Sequence, residues 1–148
     1  MLEIDGDFAQ ARQLRERLLA LEHDPMPRAK ALSLLSRVLI ELGEPESARK
    51  AATEAIATLE RANPKHPSLQ VPLTTLGRLT PGPAGDALLE RALALPRTVD
   101  HEYQGDVIRA MAERAAPAAR RALLERARHD YAEAQVDFRV RELEQLLR

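Results

Sequence analysis

The sequence predicts an all-α protein assembled from helical hairpins in series. Composition is the first observation: 45% of the 148 residues are hydrophobic but only 3% are aromatic. The apolar content is mostly leucine and alanine, which pack helix against helix better than they cover a pleated sheet. Punctuation is the second, because Pro, Gly and capping residues interrupt the chain at short intervals, between stretches whose leucines recur every three or four positions. The third is a recurrence. ALLERA stands at Ala87 to Ala92 and again at Ala122 to Ala127, 35 positions later, and self-similarity at such a period marks a stacked array of hairpins.

The punctuation places eight helices. The first runs from about Asp7 to Glu22 and stops before Asp24-Pro25-Met26-Pro27. The second spans roughly Arg28 to Leu42, with Leu32, Leu35, Leu39 and Leu42 on one face and Leu34 and Val38 beside them, so it is buried over a wide arc. Gly43 ends it. Pro45 suits a first helical position and opens a third helix, which Asn63-Pro64 stops near Ala62. The fourth starts late, near Pro72, or is kinked there, because a proline interrupts the hydrogen-bond ladder. Thr80-Pro81-Gly82-Pro83 precedes a fifth helix that Pro96 ends near Leu95. Thr98 is placed to cap a sixth, to Ala115, and Pro117 opens a seventh, to Arg128. Asp130 with Glu133 reads as a capping box for the last.

Two further echoes give the recurrence a register. GDFAQAR at Gly6 to Arg12 returns as GEPESAR at Gly43 to Arg49, an offset of 37, and RERLLAL at Arg15 to Leu21 returns as LERALAL at Leu89 to Leu95, an offset of 74. ATLERA at Ala57 to Ala62 stands two helical turns out of this register and keeps the same face. In ALLERA the leucines and alanines are expected between hairpins, with Glu and Arg in water.

Pairing the helices as successive hairpins makes the chain resemble a tetratricopeptide-repeat protein, whose unit is a helix-turn-helix of ~34 residues. The resemblance covers most of the chain and is carried best by Leu32 to Asn63. Leu32, Leu35 and Leu39 stand at the family's large apolar positions, Gly43 ends the first helix, and Ala48, Ala52 and Ala55 stand where the second helix favours small residues. A second unit, about Pro67 to Leu95, keeps Leu69, Leu76, Leu89 and Ala92 but has Pro72 where Leu35 stood. A third, about Glu102 to Arg128, keeps Val107, Met111, Leu124 and Ala127 but has Gln104 where Leu32 stood. The implied fold is one tetratricopeptide-like solenoid over residues 1–148, with the first helix a half unit and the last a terminal cap, Val136, Val140, Leu143 and Leu147 facing inward.

Several function classes lose support. The chain has no cysteine, so disulfides and thiolate metal sites are excluded and a reducing, cytoplasmic setting is expected. No run of ~18 apolar residues is present, so no membrane span is expected. A net charge of −1 supplies no field for polyanions. HEYQGD at His101 to Asp106 begins like a zinc-protease helix, but the second histidine is replaced by Gly105. His23-Asp24 and His129-Asp130 fall at expected helix ends, where they read as caps rather than metal ligands. PGPAG near Pro81 lacks the Lys-Ser or Lys-Thr of a phosphate loop. No catalytic residue, metal or cofactor is expected.

Function then rests on what the array binds. The resemblance implies that each unit's first helix lines a concave groove. Its outward positions are Lys30, Ser33, Arg37 and Glu41, then Gln70, Thr74 and Arg78, then Glu102, Arg109 and Glu113. Arg37, Thr74 and Arg109 are equivalent, and the arginines would hold a carboxylate through charge-assisted hydrogen bonds. The expected partner is a protein or peptide segment, or another copy of this chain if the last helix leaves an apolar stripe open. The plain alternative at each position is a solvated helix residue. The runner-up is a nucleic acid on 109–128, where six arginines face two glutamates and Arg114, Arg121 and Arg128 recur every seven residues. The break at Pro117 and the scarcity of aromatics for base stacking argue against it.

Overall fold

The computed structural model describes residues 6–96 and 100–148, and every regular element among them is a helix. In order these are α1 (Phe8–Leu21), α2 (Pro25–Glu41), α3 (Pro45–Ala62), a 3-10 turn (Pro67–Leu69), α4 (Gln70–Leu79), α5 (Gly82–Ala94), α6 (His101–Arg114), α7 (Pro117–Glu133) and α8 (Asp137–Leu147). Every helix packs on its successor, and α2 on α4 and α4 on α6 also touch directly. No helix among the described residues is long and apolar enough to cross a membrane.

Most expected boundaries hold to within a residue or two, and the exceptions have local causes. α2 begins at Pro25, three residues before Arg28, because the first turn of a helix has no acceptors for its own N–H groups and therefore tolerates both Pro25 and Pro27. The same rule places Pro72 third in α4, behind the 3-10 turn. The stop after Arg128 and the capping box at Asp130 and Glu133 are corrected: α7 runs on to Glu133 and holds both residues. Its end is made by Gln135, in the left-handed region at φ 59°, which lets Val136 N donate to Tyr131 O at 2.9 Å. Gly43, at φ 74°, closes α2 in the same way, with Glu44 N on Leu39 O at 2.9 Å. Thr98 lies outside the described residues, and Asp100 occupies the position before α6.

Three apolar clusters follow one another along the chain. Leu32, Leu35 and Leu39 of α2 meet Ala48, Ala51 and Ala55 of α3. Leu69 and Leu73 meet Leu59, Ala92, Leu95 and Val107. Ile108 and Ala112 meet Leu124, Ala127, Tyr131, Val136 and Leu143. Each fully buried leucine stabilises by roughly 2 kcal/mol.

Two of the three echoes place their residues alike. Both ALLERA copies lie on second helices, and in each the third and sixth residues, Leu89 with Ala92 and Leu124 with Ala127, are buried while Glu90 and Glu125 are exposed. Gly6 and Gly43 both take positive φ just before a helix. Arg12 of α1 and Arg49 of α3 both reach the far end of the helix that follows, Arg12 pairing with Glu44 just beyond α2 and Arg49 donating to Leu79 O at the end of α4 at 2.6 Å.

Position 105 is glycine for a packing reason, since a Cβ there would stand 2.9 Å from the Tyr131 ring. Gly105→Ala is therefore expected to lower stability by about 2 kcal/mol. Gln135→Gly, which relieves an unfavourable backbone conformation, should raise it by about 0.5 to 1 kcal/mol. Urea unfolding of the two variants checks both signs.

Candidate functional site

The outward residues of α2, α4 and α6 face one another instead of open solvent. Two groups of ionised side chains fill the space between these helices and α8. In the first, Arg37 of α2 reaches α6, donating through Nε to Asp106 Oδ2 at 2.6 Å and through Nη2 to Glu102 Oε1 at 2.5 Å. Its side chain is 5% exposed. The guanidinium lies 5.4 Å from the Tyr103 ring centre, and Tyr131 Oη donates to Asp106 Oδ1 at 2.5 Å.

The second group is a closed ring of alternating charge. Arg139 pairs with Glu142 at 2.9 Å, Glu142 with Arg109 at 2.7 Å and Arg109 with Glu113 at 3.6 Å. Glu113 then meets Arg78 at 3.8 Å, Arg78 meets Glu41 at 2.9 Å, and Glu41 returns to Arg139 at 2.7 Å. Three arginines and three glutamates from α2, α4, α6 and α8 thus neutralise one another. The Glu41 contact is a close ion pair without hydrogen-bond alignment, and Nε and Nη2 of buried Arg139 donate to no aligned acceptor. Aromatic faces take their place: the Arg139 guanidinium stands 4.9 Å from the Phe138 ring centre and 5.6 Å from that of Phe8, and the two rings meet edge to face.

Burial and pairing compete at each acid. Burial works against ionised Glu41, but Arg139 and then Arg78 outweigh it and hold the carboxyl below its ordinary range. Burial also opposes ionised Asp106, and there Arg37, Arg139 and the Tyr131 hydroxyl prevail, again lowering it. At Glu102 burial wins over Arg37, with Asp106 and Asp100 pushing the same way, so this carboxyl is raised. Of the two acids that share Arg37, Glu102 is protonated first. Tyr131 is pushed well above its usual value, by burial and then by Asp106, and stays a neutral donor.

Beyond this network lies a pocket of about 290 Å³ where α2, the 3-10 turn, α4 and the start of α6 meet. Leu34, Pro67, Val71 and Tyr103 supply apolar wall, and Lys30, Ser33, Ser68, Gln70 and Asp100 supply polar groups. Ser33 Oγ is bound to Ala29 O, and Gln70 donates to Gln104 at 2.9 Å. Lys30 is exposed and has no ion-pair partner among the described residues.

The ten candidate residues therefore divide. Lys30, Ser33 and Gln70 come together at the pocket. Arg37, Glu41, Arg78, Glu102, Arg109 and Glu113 are engaged in the ion pairs above, and buried Thr74 turns its hydroxyl to Gln70 O. Apart from exposed Glu113, these are held between helices rather than left in solvent, because the helices approach closely enough for opposite charges to meet. Sequence reasoning passed over Asp106, Tyr131, Arg139 and Glu142. The available signal was the spacing of Glu102 with Asp106 and of Arg139 with Glu142, one turn apart.

Four of the six arginines of 109–128 are engaged with acids or main-chain carbonyls. Arg109 belongs to the ring, and Arg114 clamps the turn between α4 and α5, donating to Gly77 O, Thr80 O and Gly82 O and pairing with Asp86. Arg121 and Arg128 pair with Glu125 and Glu144. Asp130 faces His101 Nδ1 at 3.2 Å and lies inside α7, not at a helix end. No group of three or more His, Cys, Asp or Glu among the described residues is arranged to hold a metal ion. No protein-family model, curated protein or solved structure matches the chain.

Glu41→Gln leaves buried Arg139 and half-buried Arg78 without their shared acid and should destabilise by about 3 kcal/mol, whereas Glu113→Gln, at a more exposed corner, should change stability by under about 1 kcal/mol. Urea midpoints distinguish the two. The depressed carboxyls also set a pH dependence. Their stabilisation is complete above the ordinary values of 4.5 for Glu41 and 3.8 for Asp106 and is lost as pH falls through their lower folded values. Raised Glu102 contributes with the opposite sign and offsets part of this. Urea midpoints should hold steady from pH 7 to 5, then fall below about pH 4, less steeply in Glu41→Gln.

Proposed function

We propose that the chain is a tetratricopeptide-like binding module that holds a segment of a partner protein and performs no reaction of its own. The observation that carries this reading is the pocket formed where the first helices of three successive hairpins meet. Its volume suits one bulky apolar side chain against Leu34, Val71 and the Tyr103 ring. Lys30 on one side and Asp100 on another then favour a segment with an acidic and a basic residue flanking that anchor. The repeat reading draws support from the equivalent burial of the ALLERA copies and from the direct contacts of α2 with α4 and α4 with α6.

The charged network narrows the segment's path. A partner crossing the ring would have to separate pairs that already satisfy one another, so binding is favoured at the end of the groove that holds Lys30. For the same reason Arg37 is a poor probe of binding, since replacing it would strand Asp106 in the interior.

The test is quantitative affinity capture with the full chain. Partners retained by the wild type should be lost by Ser68→Trp, which fills the pocket, and weakened by Lys30→Glu, while Glu113→Gln keeps them. All three variants must give a wild-type helical circular dichroism spectrum. Retention of every partner by Ser68→Trp and Lys30→Glu would exclude the pocket.

A further inference from the structure

The apolar stripe that would support self-association is not on the last helix. Val136, just before α8, and Leu143 within it are fully buried, and among the described residues of α8 only Leu146 is a large exposed apolar side chain. The stripe lies on α1, where Leu14 is 48% exposed, Leu18 45% and Leu21 77%. These three positions recur at intervals of four and three residues and form one face of the helix.

Internal equivalence shows what such a face does elsewhere in the chain. In the registers of the two echoes, Leu14 corresponds to Ala51 in α3 and Leu88 in α5, Leu18 to Ala55 and Ala92, and Leu21 to Thr58 and Leu95. Ala51 and Ala55 are buried against Leu32, Leu35 and Leu39 of α2, and Ala92 and Leu95 are buried with Leu69 and Leu73. In both cases the helix that covers the face is the one immediately before it. α1 is the first described helix. Its own covering surface carries leucines at places where α3 carries alanine and threonine, and leaves them open to water.

We propose that this face pairs two copies of the chain, α1 against α1 in antiparallel fashion about a two-fold axis. The sequence of the face is close to palindromic around Leu18. Reversing a second copy sets Leu18 against its counterpart and Leu14 against Leu21 of the second copy, so all three leucines are covered at once. The flanking charges fit the same reversal. Arg15 and Glu22 lie seven residues apart on one edge and exchange places, which brings each arginine beside a glutamate of the other copy. On the opposite edge Arg17 meets its own counterpart near the axis, an opposing repulsion that is weaker than the two attractions and moderated by solvent. Three leucines a side make a small interface, at the low end of specific association, and the dimer dissociates on dilution. This surface is separate from the pocket and does not depend on what the pocket binds.

Sedimentation equilibrium of the full chain tests the pairing over roughly 5 to 500 µM, the range in which an interface of this size comes apart. The weight-average mass should rise from the 16.5 kDa monomer towards twice that value. Leu18→Glu, with an unchanged thermal melt at low concentration, should abolish the rise. Glu22→Arg should weaken association about tenfold, the double variant Arg15→Glu/Glu22→Arg should restore it, and Arg17→Ala should tighten it. A wild type that stays monomeric throughout, a rise untouched by Leu18→Glu, or a double variant no better than Glu22→Arg alone would overturn the antiparallel pairing. The first outcome would leave the face to a helix of another protein.

Discussion

Three arginines and three glutamates that close on themselves across α2, α4, α6 and α8 determine how these helices sit together, because the most buried of these charges, Arg139 and Glu41 among them, are tolerable away from water only while opposite charges face them. Apolar clusters alone would hold successive hairpins in contact while leaving their relative tilt loosely specified. Ion pairs between helices separated by dozens of residues are directional. Arg139 connects the end of the chain to Glu41 near the end of α2, and the Phe8 and Phe138 rings beside it bring α1 to the same place. Arg37, reaching from α2 past α4 to Asp106, secures the neighbouring stretch of the same face.

This neutralisation explains where binding chemistry remains. Most polar side chains between α2, α4, α6 and α8 satisfy one another, so the polar groups that remain available lie at the pocket beside Lys30 and Asp100. Of the four large apolar side chains exposed among the described residues, three lie on α1. Under the proposed binding reading, stability and recognition occupy different parts of the molecule, and substitutions at the ring act through the fold whereas those at the pocket rim or on α1 do not.

Much of the helical framework was legible because its signals are local. Pro45, Pro117, Gly43 and the leucine spacing of α2 act within a turn or two of themselves. Where reading failed, a distant contact had overruled a local cue. Asp130 and Glu133 have the spacing of a capping box, yet Tyr131 is drawn into the interior against Gly105 and the helix continues through them. The candidate site was half legible. The helical spacing selected residues on the inner face, including Lys30, Ser33 and Gln70, but could not tell a side chain awaiting a ligand from one already paired. Arg37 and Lys30 differ by seven residues and share a face, and one is buried between two acids while the other is free in solvent.

By itself the sequence determined that the chain is helical and where its helices mostly begin and end, since these follow from backbone geometry and from burial at intervals of three and four residues. The tertiary structure alone decided which charges meet, that α8 closes the ring, and that the apolar face left open belongs to α1. Charge pairing depends on distances between residues 30 to 100 positions apart, and small changes in the tilt of each successive helix accumulate in those distances without leaving a mark on the local pattern.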